Sequence, residues 1–339
     1  MSFLREENMK IGIAGARGSL PTPSGKTLFG AVETEEFGGN TTCVYVQADD
    51  GSEHILDAGT GIRALGVHLA REGGLNGKGK RVQLYLSHTH WDHIQGLPFF
   101  TPGYIEGNHV AVFGEAKVKN VHFGTKETLD DLIQSHEESV PLLQVDDAGI
   151  KKNLQGQQNF RNFPAPLEAM KGLTAFYDFV AGETIYQSKS LKVETFPQQH
   201  PGGSVGYKFT ERKKDGSTKV MVFSTDFEPQ NGNVAKMTER WAGADLVLAD
   251  AQYEPRGSQV KENPFMEGWG HSDYITDVKM ATHAEIKRLV LTHHEPKMGD
   301  NYHRALELRA QGEAETVANA LRKNKVAVEL AREGKWYEL

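Results

Sequence analysis

The hexapeptide His88-Thr89-His90-Trp91-Asp92-His93 constrains this chain more than any other feature. It follows Arg81 to Leu86, an apolar run that reads as a strand. In an extended segment, residues two apart point the same way, so His88 and His90 can chelate one ion. If a helix starts near Asp92, the chain turns there, and Asp92 with His93 can face a second ion beside the first. Imidazole nitrogen and carboxylate oxygen suit two divalent cations, zinc first, with manganese or iron also accommodated. A lone histidine is ordinarily a surface or packing residue. Three of them with an aspartate in one hexapeptide point instead to a metal site.

Composition narrows the partners. The formal net charge is -7 and no long basic run is present, so a dedicated nucleic-acid surface is not expected. A small anionic substrate remains open, because bound metal ions supply local positive charge whatever the global sign. The single cysteine, Cys43, permits neither an internal disulfide nor a thiolate zinc cluster. A reducing, cytoplasmic location is therefore expected. The first residues lack the apolar core of a signal peptide. No apolar stretch approaches the roughly 20 residues that a membrane span needs. The expected partner is the small anionic substrate, with no membrane and with room for a homodimer.

Hydrophobic patterning places strands at Lys10 to Ala14, Thr42 to Ala48, Glu53 to Leu56 and Arg81 to Leu86, then at Leu191 to Phe196, Ser204 to Phe209, Lys219 to Phe223, Asp245 to Ala249 and Arg288 to Thr292. Helical spacing runs over Thr60 to Arg71, Asp273 to Ala284 and Arg304 to Lys323. This alternation predicts a layered α/β protein, a single domain over 1–339. Residues 104–182 are more polar and read as an insertion, with a helix at Lys126 to Ser135 and a loop over Gly149 to Asn162. Residues 303–339 read as a C-terminal helical tail. Cys43, inside a strand, is expected to be a small core residue, and Trp91 is expected to pack beside the metals.

The hexapeptide resembles the HxHxDH motif of the metallo-β-lactamase superfamily. Other segments match that family in order from about Ile11 to Pro296. Ile55-Leu56-Asp57-Ala58-Gly59 resembles its strand-end aspartate, and His200 in Gln199-His200-Pro201-Gly202-Gly203 its third histidine. Asp226 in Phe223-Ser224-Thr225-Asp226 resembles its bridging aspartate, and His293 in Leu291-Thr292-His293 its last ligand. The resemblance implies an αββα sandwich. It implies that His88, His90 and His200 hold one metal, that Asp92, His93 and His293 hold the other, and that Asp226 bridges them. Asp57 would orient a ligand histidine. His294 is the alternative to His293. Independently of the resemblance, Asp57, His88, Asp226 and His293 each follow a strand, where sites in layered α/β proteins assemble.

Gly268-Trp269-Gly270-His271-Ser272 resembles the Gly-His-Ser motif of the family's phosphodiesterase branch, which includes tRNase Z-like enzymes. Gly38-Gly39-Asn40-Thr41-Thr42 and Leu97-Pro98-Phe99-Phe100 resemble a bacterial group of small phosphodiesterases, some acting on cyclic nucleotides. The implied activity is metal-dependent phosphodiester hydrolysis by a hydroxide shared between the ions. His271 is the general acid, held by Asp250, while Asp92 and Asp226 serve the reacting centre. The alternatives are a lactonase or other carbonyl hydrolase of the same fold, and a non-catalytic metal-binding regulator. Ser24-Gly25-Lys26-Thr27 lacks the glycine and the context of a phosphate-binding loop. Gly12, Gly15 and Gly18 lack dinucleotide-binding spacing.

Overall fold

The computed structural model describes residues 8–27, 30–71, 79–116, 149–229, 233–255 and 268–339. The helix expected at Lys126 to Ser135 lies outside them. The first half holds β1 (Lys10–Gly15), β2 (Gly25–Thr27), β3 (Gly30–Val32), β4 (Cys43–Gln47), β5 (Glu53–Leu56), α1 (Ile62–Leu69), β6 (Arg81–Tyr85), α2 (Trp91–Ile94), α3 (Thr101–Tyr104), β7 (His109–Glu115), α4 (Ile150–Gln157) and β8 (Leu173–Phe179). The second half holds β9 (Thr184–Gln187), β10 (Leu191–Gln198), β11 (Ser204–Arg212), β12 (Thr218–Ser224), α5 (Val234–Trp241), β13 (Leu246–Asp250), α6 (Tyr274–His283), β14 (Arg288–Thr292), α7 (Asp300–Leu321), β15 (Ala327–Leu330) and β16 (Trp336–Glu338).

Two seven-stranded sheets, ordered β16-β1-β4-β5-β6-β7-β8 and β15-β14-β13-β12-β11-β10-β9, face one another. Their central strands are apolar on both sides because both sides are covered. In β4, Val44 and Val46 enter the layer between the sheets, while Cys43 and Tyr45 meet the helices outside. In β13, Leu246 and Leu248 point inward, and Val247 and Ala249 pack under the outer helices. The result is the αββα sandwich. Cys43 is fully buried core, as expected.

Three expectations are corrected. Residues 104–182 are not simply an insertion, since β7 pairs parallel with β6 and β8 pairs parallel with β7 as the edge of the first sheet. Within this stretch the loop expected at Gly149 to Asn162 contains α4. Its apolar residues Ile150 and Leu154 are buried one turn apart, and Asp178 Oδ1 accepts a hydrogen bond from Ile150 N at 2.7 Å. That helix start is stabilised by a carboxylate 28 positions away, which local pattern cannot reveal. The C-terminal tail is helical only through Leu321. β15 then pairs with β14 and β16 with β1, so the chain's last residues join both sheets.

Parallel strands β5 and β6 in one sheet and β12, β13 and β14 in the other end along the same edge of the sandwich. The functional side chains gather on that edge.

Candidate metal centre

Six of the expected site residues sit at or just past the end of a strand. Asp57 follows β5, His88 follows β6, His200 follows β10, Asp226 follows β12, Asp250 ends β13 and His293 follows β14. Three of them, Asp57, Asp226 and His293, have positive φ of 61°, 54° and 60°. Ser19, at 58°, lies against the same cluster. Such backbone costs on the order of 1–3 kcal/mol per residue and persists where the surroundings over-determine it. Here the left-handed residue turns each chain sharply off its strand and leaves its side chain on the edge.

Among the described residues four sets of donors converge: His88 with His90 and His200, Asp92 with His93 and His293, His88 with His93 and Asp226, and Asp226 with Asp250, His271 and His293. Within each set the donor atoms lie within 4.8 Å of one another. Asp226 stands between the first two sets. Its Oδ1 is 3.8 Å from both His88 Nε2 and His200 Nε2 and 3.4 Å from His293 Nε2, while its Oδ2 is 3.2 Å from His93 Nε2. His293 Nε2 and His93 Nε2 lie 3.0 Å and 3.1 Å from Asp92 Oδ2.

The residues fit divalent cations. His88 Nε2 is buried without a hydrogen-bond partner, and His93 Nε2 faces Asp92 Oδ2 and Asp226 Oδ2. The other nitrogen of each ring is held from outside: His88 Nδ1 at 3.1 Å from Ser87 Oγ, and His93 Nδ1 at 2.8 Å from Asp57 Oδ2. His200 follows the same plan, with Nδ1 donating to Gly270 O at 2.9 Å. Its Nε2 therefore presents a lone pair, 3.0 Å from His90 Nδ1. Histidines that bind metals are oriented in this way by a partner on the far nitrogen. Asp57 is itself fixed by Ser87 N at 2.7 Å and Ser87 Oγ at 2.8 Å.

The electrostatics divide the cluster. Burial lowers the pKa of His88, His90 and His200, so these rings stay neutral. Burial acts the same way on His93 and His293, but carboxylates overcome it. Asp226, Asp92 and Asp57 raise His93 well above its usual value, and chiefly Asp226 and Asp250 raise His293 to about 9. Burial disfavours the charges of Asp92 and Asp226, yet His93 and His293 hold both carboxyls below the ordinary carboxylate range.

His294 does not join the cluster; its Nε2 donates to Ala331 O at 2.8 Å. Trp91 does not pack beside the ligands as expected. As the first residue of α2 it points outward and is 63 % exposed. His271 does join the site. Its Nδ1 is 2.6 Å from Asp250 Oδ2, and its ring lies 4.8 Å from that of His293 and 5.4 Å from that of His200. Asp250 Oδ2 also accepts from Asp226 N at 3.0 Å.

Sequence reading missed the contribution of Gly18 and Ser19. Ser19 N donates to Asp92 Oδ2 at 2.8 Å. A Cβ on Gly18 would lie 2.3 Å from His293 Nδ1, so the glycine is required by close approach. The signal available was the glycine-rich turn after β1, which sequence reading assigned only to backbone freedom in a tight turn. Gly18→Ala should displace the His293 ring and weaken zinc binding about 10–100-fold, as loss of an orienting partner does. Chelator competition measures this, with circular dichroism confirming an intact fold.

No curated protein matches the sequence. Solved structures similar in fold include the metallo-β-lactamase fold protein YhfI of Bacillus subtilis, at 16% identity and TM-score 0.61, covering 98% of this chain and 100% of that one. Zinc-bound PqqB of Methylobacterium extorquens matches at 13% identity and TM-score 0.62, covering 97% and 100%. The short form of human tRNase Z matches at 16% identity and TM-score 0.55, covering 97% and 98%. The family model for the β-lactamase superfamily domain matches residues 55–294, a span that opens just before Asp57 and closes just past His293. With the sandwich and the clustered histidines and aspartates in agreement, this chain belongs to the β-lactamase superfamily, a family of metal-dependent hydrolases.

Proposed function

We propose that this protein is a dinuclear metal-dependent phosphodiesterase acting on a small anionic diester, cyclic nucleotides being the first class to test. The observation that carries the reading is the pair His271 and Asp250, 2.6 Å apart. His88, His90 and His200 would hold one divalent cation, Asp92, His93 and His293 the other, with Asp226 between them. Zinc suits this nitrogen-rich set, and manganese or iron are alternatives. When bound, such a pair activates water and offsets charge on the phosphoryl oxygens.

The chain's own residues supply the rest. Asp250 accepts the Nδ1–H of His271 and fixes the ring, so that the imidazolium form can give its Nε2 proton to the leaving oxygen. His271 is the member of this pair that solvent reaches, its side chain 9% exposed against 0% for Asp250. Trp91 and Trp269, 63% and 55% exposed, flank the ligands and the acid in sequence and offer faces for a nucleobase.

A lactone-hydrolase reading has one observation in its favour. The Tyr253 ring lies 5.1 Å from that of His271, and burial, then Asp250, raises its pKa, so its hydroxyl remains a donor for a carbonyl oxygen. The two readings part on His271. On a diester with a poorly acidic leaving alcohol, His271→Ala should lower turnover about 10²–10⁴-fold. On the p-nitrophenyl ester, whose leaving group needs no proton, the loss should be small. Equal losses on both, or faster turnover of a lactone than of any diester, would overturn the proposal.

A further inference from the structure

We propose that Glu228 is the positioning residue of the centre, fixing through one loop both the His200 imidazole and the His271 acid. Glu228 lies two residues after Asp226 and is buried, 3% exposed. Its carboxylate accepts two main-chain hydrogen bonds from the loop that carries His271. Oε1 accepts from Gly268 N at 3.0 Å, and Oε2 accepts from Gly270 N at 3.0 Å. Charge-assisted bonds of this kind are the strong ones, and a buried carboxylate requires them.

The same Gly270 presents its carbonyl to His200 Nδ1 at 2.9 Å. Glu228 therefore grips one side of a peptide segment whose other side sets the tautomer and angle of a candidate ligand. The main chain of Glu228 adds a third tie, with its N donating to Gln199 O at 2.9 Å, next to His200. Gly268 and Gly270 have φ of 84° and 92°. A Cβ on Gly270 would lie 2.0 Å from His200 Nδ1. Only glycine lets the loop turn both amides onto one carboxylate while lying on the imidazole. His271 follows directly, so its reach to Asp250 depends on the same grip.

The His271 half of this inference rests on the phosphodiesterase reading, whereas the His200 half does not. The test is Glu228→Gln in the full chain. The amide keeps one acceptor but turns an N–H group toward a glycine N–H, so the loop loses one tie and meets a repulsion. Zinc affinity, read by competition with a chromophoric chelator, should fall about 10–100-fold. Turnover of a diester with a poor leaving alcohol should fall to the level of His271→Ala. The double variant should then fall no further, and the p-nitrophenyl ester should be affected much less. A residue that merely stabilised the fold would lower both substrates alike.

Unchanged zinc affinity overturns the proposal. Weakened zinc binding with the wild-type leaving-group dependence overturns its His271 half. If the wild-type protein cleaves no diester, the function reading fails while the zinc measurement still decides the His200 half. Should Glu228→Gln not fold, hydrogen exchange on the wild-type protein decides. The Gly268 and Gly270 amides are expected to be protected although they lie in a loop, and unprotected exchange overturns the grip.

Discussion

Asp226→Asn should abolish turnover, by at least about 10³-fold, since losing even an outer partner of a metal ligand costs about 10–100-fold. Asp226 reaches all four donor sets, and the distances from its two oxygens to His88, His93, His200 and His293 run from 3.2 to 3.8 Å. Asparagine is a better probe than alanine here. Asp226 has φ of 54°, a conformation that asparagine tolerates and that costs other L-residues roughly 1–2 kcal/mol. Asparagine also keeps an oxygen for the Thr225 hydroxyl, which donates to Oδ2 at 2.7 Å. The variant therefore removes the charge and spares the backbone. Metal analysis and turnover should fall together; a variant that kept both would remove Asp226 from its place between the ions.

The second large effect is in pH. Zinc binds neutral imidazole, so any proton on a ligand must leave first. Asp226 and Asp250 push the His293 pKa up to about 9 against the effect of burial, and Asp226, Asp92 and Asp57 hold His93 above its ordinary value. Both pKa values are raised, so both rings carry protons at neutral pH and lose them as pH rises. Affinity of the Asp92, His93 and His293 set should climb with pH, about tenfold per unit for each displaced proton. The His293 share of that climb should level off above about 9. The His88, His90 and His200 set has lowered pKa values and should bind almost independently of pH above neutrality. Titration calorimetry in buffers of different ionisation enthalpy reads the released protons directly. The outcome that contradicts this is two binding events with the same flat pH dependence.

The hexapeptide was legible because its ligands are neighbours in sequence, and the period of a strand already places His88 and His90 together. The inner strands of both sheets were legible because strands covered on both faces leave continuous apolar runs, whereas the half-exposed β8 and β9 at the sheet edges, and β7 beside β8, were not. His200, Asp226 and His293 lie far apart in the chain, and only family resemblance and their strand-end positions linked them. What stayed hidden was contact made by main chain or at long range. Asp178 caps α4, Ser19 N meets Asp92, and Glu228 grips Gly268 and Gly270. In each case a carboxylate meets an amide that carries no side-chain signature. The two glycines around Trp269 were the one visible hint, since paired glycines beside a candidate acid imply close backbone approach. The last strands were missed because β15 and β16 are short and follow a long helix, so local pattern favoured continued helix over sheet edges.

The most direct test of the account is a zinc titration of the metal-stripped protein, following hydrolysis of bis(p-nitrophenyl) phosphate near neutral pH. The account predicts little turnover while the His88, His90 and His200 set fills. Activity should appear as the Asp92, His93 and His293 set fills, and Asp226→Asn should show none at any zinc level. A protein that carries both ions and hydrolyses no diester, or an Asp226→Asn variant as active as the wild type, would contradict it.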